Sequence, residues 1–269
     1  MSERRACRIL KLSRTVYHYQ TSTQGRDDTV IAELNRLAGQ HPGWGFWKMY
    51  DRLRLEGHGW NHKRVYRVYT KLKLNLRRKH KRRLPHRPAI AMSIPLDPNQ
   101  MWSMDFMHDS LYDGRKVKIF NVLEDFNRQA HCMEVDTSMN SRRTIGLLDQ
   151  LVDIHGKPYA IRSDNGPEFM SHIFLDWCHR RRIYHQFIQP GKPVQNSLIE
   201  RFNGSYRKEI LDAYIFYSIN ELKSVTHNWM KQYNQYRPHD SLNGLTPELF
   251  LMNYYKEKKQ LNIFETLVL

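Results

Sequence analysis

The chain has 269 residues, and its 43 Lys and Arg side chains exceed its 27 Asp and Glu side chains by a net charge of +16. This length is sufficient for one or two domains with a real core. No apolar run approaches the about 20 residues of a membrane span, and the start Met-Ser-Glu-Arg-Arg lacks the apolar centre of a signal peptide, so membrane and export functions are excluded.

The basic excess is uneven along the chain. Residues 1–100 carry 22 basic and 7 acidic side chains, a net of +15, whereas residues 101–269 carry 21 and 20. A basic surface can aid solubility or bind an anionic membrane, but nucleic acid fits best, because Lys and Arg on phosphates release counterions. The three cysteines, Cys7, Cys132 and Cys178, form no Cys-x-x-Cys pair, which indicates reduced intracellular thiols and no structural zinc.

Residues 1–72 are predicted to form a small all-helical region. Residues 2–20 read as two short helices, with Ser13 as the N-cap of the second. A further helix is predicted from Phe46 to Glu56, closed by Gly57 and Gly59, and Asn61 is predicted to cap the next one.

The helix after Asn61 has two different faces. Val65, Val68, Tyr69 and Leu72 follow the i, i+3, i+4, i+7 spacing of a buried stripe. Arg64, Arg67 and Lys71 share another face. An apolar back with a basic front is typical of a helix-turn-helix-like element docked on DNA, although an ordinary bundle helix can also carry a solvated charged face.

Residues 73–100 are predicted to be a linker. A seven-residue basic run begins with Arg77 and Arg78 and ends at Arg83. It is followed by Pro85, Pro88, Pro95 and Pro98. Repelling charges and repeated proline disfavour packing. We therefore expect an extended arm that either follows a DNA backbone or stays solvated.

Residues 101–255 are predicted to form an α/β domain with a C-terminal helical extension, followed by a tail at 256–269. The predicted strands are 101–108, 116–123, 129–136, 159–162 and 183–187, and the predicted helices are 141–155, 167–179, 197–212 and 219–236. Three strands followed by an alternating helix and strand series indicate one sheet covered by helices.

Three carboxylates stand out in this domain. Asp105 lies in Met-Trp-Ser-Met-Asp-Phe, Asp164 in Ile-Arg-Ser-Asp-Asn-Gly-Pro-Glu-Phe, and Glu200 in Leu-Ile-Glu-Arg-Phe-Asn-Gly. Clustered carboxylates repel one another unless cations lie between them, and hard oxygen ligands suit Mg²⁺ or Mn²⁺. Two such ions can clamp the attacking and leaving oxygens of a phosphodiester displacement.

The spacing and the surrounding blocks carry a family resemblance. Asp164 and Glu200 are separated by 35 residues, and the Asp-Asn-Gly-Pro-Glu-Phe, Gln-Pro-Gly-Lys-Pro and Glu-Arg-Phe-Asn blocks occur in that order. The chain resembles the insertion-sequence transposases of the retroviral-integrase superfamily, which have an Asp, Asp, Glu catalytic set. It is most similar to the second-frame product of bacterial elements that use ribosomal frameshifting.

The resemblance implies the fold and the catalytic residues. The fold expected for residues 101–255 is a ribonuclease-H-like core, a mixed five-stranded sheet with flanking helices. Asp105, Asp164 and Glu200 are expected to hold two Mg²⁺ ions, with Mn²⁺ as a substitute.

Several residues are expected to contact DNA. Arg207 lies about 20° around a helix from Glu200 and matches the basic family position seven residues after the glutamate. Asn203 shares that polar face, and Lys192 lies in a loop before the helix, where a solvated loop is the alternative.

Other polar residues near the predicted site have ordinary structural explanations. His108 and His185 are expected to support the site rather than bind metal, and a carboxylate such as Glu168 is favoured in a first helical turn. Asn165 and Gly166 are expected to shape the turn after Asp164, because both residue types tolerate positive φ angles. Arg237 is expected to pack against the core rather than to contact DNA.

The predicted function is DNA transposition by a bacterial, cytoplasmic and nucleoid-associated enzyme. The expected partners are the terminal inverted repeats, target DNA, other copies of the chain in a synaptic complex, and an upstream-frame product that supplies a helix-turn-helix and a coiled coil. Two alternatives stay open: a catalytically silent DNA-binding regulator, and a hydrolytic nuclease of the ribonuclease-H class.

Overall fold

The computed structural model of the chain describes residues 2–18, 25, 27–76, 95–188 and 193–267; for residues 193, 194 and 261–267 it describes only the secondary structure. It divides into two compact units, Met1–Lys79 and His80–Leu269. Across the described ranges, no helix combines the length and the apolar composition that crossing a membrane demands.

The first unit is entirely helical in its described part. Its helices are α1 Glu3–Ile9, α2 Arg14–Tyr17, α3 Asp28–Gln40, α4 Phe46–Leu55 and α5 His62–Lys71. Both predicted caps are confirmed, because the Ser13 side chain accepts a hydrogen bond from Val16 N and the Asn61 side chain accepts one from Lys63 N. Helix α3 was not predicted, although its buried residues Val30, Leu34 and Leu37 have helical spacing.

The second unit contains a mixed sheet in the order β3-β2-β1-β4-β5. Its elements are β1 Met101–Ser110, β2 Lys116–Glu124, β3 Ala130–Asp136, α6 Ser141–His155, β4 Ala160–Ser163, α7 Pro167–Met170, α8 His172–Arg181, β5 Tyr184–Phe187, α9 Ser197–Tyr206, α10 Ile219–Gln235 and α11 Pro247–Leu267. Strands β1, β2 and β3 pair antiparallel, whereas β4 runs parallel to β1 and to β5. The predicted ribonuclease-H-like fold is confirmed.

The core occupies both faces of the sheet, because successive strand residues point to opposite sides. Trp102, Met104, Phe120 and Val122 pack with buried residues of α6 and α8. Met107, Val117, Ile119 and Leu123 pack with buried residues of α9 and α10. Odd-numbered residues of β1 therefore face α9, which fixes the side of the sheet on which Asp105 lies.

Two predicted helices are interrupted. The helix predicted over 167–179 is two helices, because Ser171 caps α8 by accepting a hydrogen bond from Phe174 N. The helix predicted over 197–212 changes at Arg207 into a π-helical turn, Arg207–Leu211.

Two predicted boundaries differ from the structure. Residue 97, assigned to the linker, is attached to the second unit, because Asp97 pairs with Lys258 at 2.6 Å and accepts a hydrogen bond from Tyr254. The predicted tail at 256–269 is also not separate, because α11 continues to Leu267 without a break at residue 255.

Candidate active site

Strand pairing brings Asp105 and Asp164 together. In the parallel pairing of β1 and β4, Ser103 lies opposite Arg162. Asp105 and Asp164 each lie two residues beyond this pair, Asp164 immediately after the end of β4, and the charge of Asp164 acts on the Asp105 carboxylate. Two carboxylates from distant positions therefore meet at the carboxyl end of a parallel strand pair, where α/β sheets commonly bind ligands.

Helix α9 packs over Asp105 on one face of the sheet. Asn203 Nδ2 donates a hydrogen bond to Asp105 Oδ2 at 2.7 Å, and Asn203 Oδ1 accepts one from Asn121 Nδ2 at 2.8 Å. Asn121 is the β2 residue opposite Asp105. This chain of three side chains fixes the orientation of the Asp105 carboxylate. Phe106 N donates to its other oxygen at 2.9 Å.

The Asp105 carboxylate is strongly perturbed. Its burial, followed by the negative charge of Asp164 and, to a smaller extent, that of Glu200, raises its pKa from 3.8 to about 6, against the effect of its hydrogen bonds. The three predicted carboxylates thus share one electrostatic environment. Removing the mutual repulsion requires a proton or a cation.

The turn after Asp164 is shaped by a close contact. Gly166 N donates to Asp164 Oδ1 at 3.2 Å. A Cβ atom at residue 166 would lie 3.1 Å from that oxygen. Gly166 has a φ of −61°, and Asn165 is absent from the described residues with positive φ. The predicted turn therefore forms without positive φ angles, and a side chain at residue 166 would crowd Asp164 Oδ1.

An open cleft of about 420 Å³ lies beside Asp105, and Glu200, Asn203 and Arg207 also line it. Glu200 is exposed in the first turn of α9, and partial burial raises its pKa. Arg207 Nη2 donates to the carbonyl oxygen of His108 at 2.8 Å, and its side chain is 40% exposed. The predicted neighbourhood of Glu200 and Arg207 on one face is borne out.

The oxygens of the three predicted carboxylates do not all lie close to one another. Asp105, Asp164 and Glu200 do not form a group whose oxygens all lie within 4.8 Å of one another; among the described residues, that spacing occurs for Glu33, Glu56 and His58. The latter group already has a cation, because Arg36 pairs with Glu33 at 2.7 Å and with Glu56 at 2.6 Å.

Three further residues have structural roles. His185 Nε2 lies 2.8 Å from Ser163 Oγ, and burial lowers the pKa of His185 to about 4. Glu168 is paired with Lys118, whose Nζ lies 4.0 Å from the centre of the Phe106 ring. Arg237 is buried and pairs with Glu209 at 2.7 Å, which confirms its predicted packing role.

The residues predicted to bind DNA fall into different groups. Asn203 is only 7% exposed and bonds Asp105 and Asn121, so the structure corrects its predicted surface role. Arg64 and Arg67 both pair with Asp27, at 3.0 and 2.7 Å, so they are not a free basic front. Lys71 is exposed. Arg77, Arg78 and Lys192 lie outside the described residues.

A buried ion pair beneath the carboxylates was not predicted. Arg162 Nη1 lies 2.8 Å from Asp125 Oδ2, and Ser103 Oγ donates to Asp125 Oδ1 at 2.6 Å. Ser103 and Arg162 are each two residues before a predicted catalytic aspartate. That equal offset in two adjacent parallel strands was the available sequence signal.

Comparison with known proteins agrees with this architecture. Models described as integrase core domains match residues 95–193 and 181–247, and a model described as an HTH-like domain matches residues 26–82. The catalytic core domain of HTLV-2 integrase, solved in complex with magnesium, is 23% identical with a TM-score of 0.43, over 56% of this chain and 95% of that one. The sheet order and the matching domain models define an integrase-core protein with an HTH-like domain.

Two relatives narrow the class. The insertion element IS407 uncharacterized 31.7 kDa protein of Burkholderia multivorans is 37% identical over 93% of this chain and 90% of its own length. The insertion element IS476 uncharacterized 39.2 kDa protein of Xanthomonas euvesicatoria is 37% identical over 94% of this chain and 73% of its own. The chain belongs to the insertion-element transposase family of the retroviral-integrase superfamily.

The Asn203 contact leads to a testable expectation. Asn203→Ala removes the donor that orients Asp105, and loss of such a supporting contact typically lowers metal affinity or activity by about 10–100-fold. We expect this loss in Mn²⁺ binding followed by electron paramagnetic resonance and in DNA cleavage. Asn220→Ala, an exposed change in α10, is the control. Unchanged Mn²⁺ affinity in a folded Asn203 variant would contradict the orienting role.

Proposed function

We propose that this protein is a transposase subunit that cuts DNA at the ends of an insertion element and joins the freed 3′-hydroxyl to target DNA. The observation that carries the proposal is the shared electrostatic environment of Asp105, Asp164 and Glu200 beside an open cleft. Asp105 lies in β1, Asp164 directly follows the adjacent parallel strand β4, and Glu200 lies in helix α9.

The donor set fits divalent metal ions. Carboxylate oxygens are the ligands that Mg²⁺ and Mn²⁺ prefer. Burial and, after it, the charge of Asp164 raise the pKa of Asp105, and a bound cation would offset that repulsion. Integrase cores generally use a divalent metal, and the HTLV-2 core was solved with magnesium. Asp105 and Asp164 would hold the ions, and Glu200 would turn inward to complete the set. Two bound Mg²⁺ ions would activate the attacking oxygen and stabilise the leaving 3′-oxygen.

The surrounding side chains support this chemistry in different ways. Asn203 holds the Asp105 carboxylate in one orientation. Arg207, at the cleft and partly exposed, would contact a phosphate of the bound strand. Lys192 is proposed as a further DNA contact from the loop before α9.

The domain plan proposed for function has a DNA-binding region at 1–72 and an arm that starts at residue 73. The catalytic region follows, and it includes Asp97, which contacts Tyr254 and Lys258. The division between residues 79 and 80 falls within the proposed arm. The HTH-like domain would hold the terminal inverted repeats, and several copies would assemble with both ends and target DNA. We also propose an upstream-frame product as a partner, as the resemblance to frameshifting insertion elements implies.

A strand-transfer assay tests the function. Labelled duplexes that carry the flanking element ends are incubated with the full chain and Mg²⁺, and parallel reactions contain EDTA. We expect Mg²⁺-dependent joined products. Cleavage without joining would instead support a hydrolytic nuclease, and DNA binding without any reaction would support a regulator.

Metal binding should depend on pH. The pKa of Asp105 in the fold is raised above its ordinary value, so in the absence of divalent ions the stability of the fold falls as pH rises from about 4 to about 6. Metal ions bind the deprotonated carboxylates. Added Mg²⁺ should therefore raise the melting temperature more at pH 8 than at pH 5, by about 2–4 °C per kcal/mol of binding free energy. Differential scanning fluorimetry checks this, and equal shifts at both pH values would oppose the assignment.

A further inference from the structure

Helix α5 has an outward stripe different from its predicted basic front. Val65, Val68 and Tyr69 are buried, which fixes the inward side of the helix. Lys63, Tyr66 and Thr70 are exposed and follow i, i+3, i+7 spacing along the outward side of the helix. Arg67 also lies on the outward side and is 59% exposed, but its guanidinium pairs with Asp27 at 2.7 Å. Arg64 lies to the side of this stripe and pairs with Asp27.

An aromatic group extends the stripe onto helix α4. Trp47 is 58% exposed and Tyr66 is 50% exposed. The ring of Phe46 contacts both, with centroid distances of 5.1 Å to Trp47 and 4.9 Å to Tyr66. The His62 ring lies 6.1 Å from Trp47. We define the aromatic-lysine face as Trp47, His62, Lys63, Tyr66 and Thr70.

Neighbouring rings pack against the aromatic side chains of this face, whereas three of its polar atoms have no partner among the described residues. Within the described part of the chain, Trp47 Nε1, Tyr66 Oη and Lys63 Nζ form no hydrogen bond or ion pair. Contacts with Phe46 hold the exposed rings in place, so little side-chain entropy remains to be lost on binding. A preorganised surface with unused donors indicates a ligand with many acceptors.

The charge of the unit selects the ligand. Residues 1–79 contain 18 Lys and Arg and 6 Asp and Glu side chains, a net of +12. Three of these acids are already neutralised inside the unit: Asp27 by Arg64 and Arg67, and Glu33 and Glu56 by Arg36. The remaining positive field attracts a polyanion, and Lys donors beside Trp and Tyr rings suit phosphates, sugars and base edges.

We infer that the aromatic-lysine face, and not the Arg64–Arg67 side of α5, is the surface through which the HTH-like unit contacts duplex DNA of the element end. This inference rests on the proposed function for the identity of the DNA. The Arg64 and Arg67 pairs with Asp27 then act within the unit by joining α5 to the start of α3.

The experiment compares two matched double variants of the full chain. Lys63→Ala/Tyr66→Ala removes one lysine and one exposed tyrosine from the face. Lys157→Ala/Tyr159→Ala removes the same residue types from exposed positions before β4 in the other unit. Binding to a labelled element-end duplex is measured by fluorescence anisotropy at several salt concentrations, and melting temperatures are recorded.

We expect the face variant to bind at least about tenfold more weakly and to lose about one unit of the slope of log K against log salt. The control variant should bind as wild type, and both should keep the wild-type melting temperature because all four side chains are exposed. A Trp47→Ala variant should weaken binding in the same direction.

Normal DNA binding by the face variant would overturn the inference. The inference would also be overturned if Trp47→Ala changed the oligomeric mass in light scattering but left the DNA affinity unchanged. That result would assign the face to a protein partner. Failure of the proposed function is separate, because it would leave wild-type DNA binding intact but give no Mg²⁺-dependent cleavage or joining.

Discussion

Glu200→Gln should abolish DNA cleavage and strand transfer while leaving DNA binding intact. Glutamine keeps the size and the helical position of the side chain but removes the negative charge proposed to complete the metal site. Loss of a group that stabilises charge in a transition state costs about 10²–10³-fold. We expect at least this loss in the rate of joined-product formation in Mg²⁺.

The matched control is Glu221→Gln. Glu221 lies in the first turn of α10, as Glu200 lies in the first turn of α9, and it is exposed. Its Oε2 accepts a hydrogen bond from Tyr217 N, which a glutamine amide oxygen can also accept. The control should react at the wild-type rate. Wild-type activity of Glu200→Gln would remove Glu200 from the proposed catalytic set.

Arg162→Met should destabilise the second unit by about 3–5 kcal/mol, because it leaves a buried carboxylate without its ionic partner. Arg162 and Asp125 side chains are 5% and 1% exposed. Burial raises the pKa of Asp125, and Arg162 opposes that rise. Without Arg162 the pKa should rise further, so the loss of stability should be larger at pH 8 than at pH 5.

The double variant Arg162→Met/Asp125→Leu separates charge burial from packing. Replacing both members of a buried ion pair with apolar side chains is often close to neutral, so this variant should recover most of the lost stability. Hydrogen exchange of β1 and β4 amides in the full chain measures the free energy of opening locally. Equal losses in the single and double variants would show that packing, not the unpaired charge, causes the effect.

The same ion pair bears on the geometry of the site. Ser103 and Arg162 face each other across β1 and β4, and both contact Asp125 at the end of β2. The three side chains tie together the strands that present Asp105 and Asp164. A fully buried polar set fixes one register, since a slip of one residue would leave each group unsatisfied.

In the N-terminal unit, local sequence patterns predicted the helix caps and the buried stripe but not the ion pairs. Ser13 and Asn61 were identifiable as caps because their partners lie only three and two residues away. The apolar stripe of α5 was also identifiable. The sequence did not identify the side of that helix that carries free charge. Asp27, the partner of Arg64 and Arg67, is 37 and 40 residues away from them in the chain.

In the second unit, too, the sequence predicted some features and not others. Strand and helix patterns predicted the order of the elements along the chain, and the three motif blocks indicated the family and singled out Asp105, Asp164 and Glu200. These signals are local in the chain, because backbone geometry sets the side-chain period of a strand or helix. The sequence by itself therefore determined the class of protein and the residues to test.

Only the tertiary structure decided the partners of the polar side chains. Asn203, expected at a DNA surface, turned inward to Asp105, which is 98 residues away in the chain. Arg162 and Asp125 meet across 37 residues, and Asp97 pairs with Lys258 across 161. A buried donor or acceptor must find a partner wherever folding places one, and that choice depends on three-dimensional packing rather than on any period along the sequence.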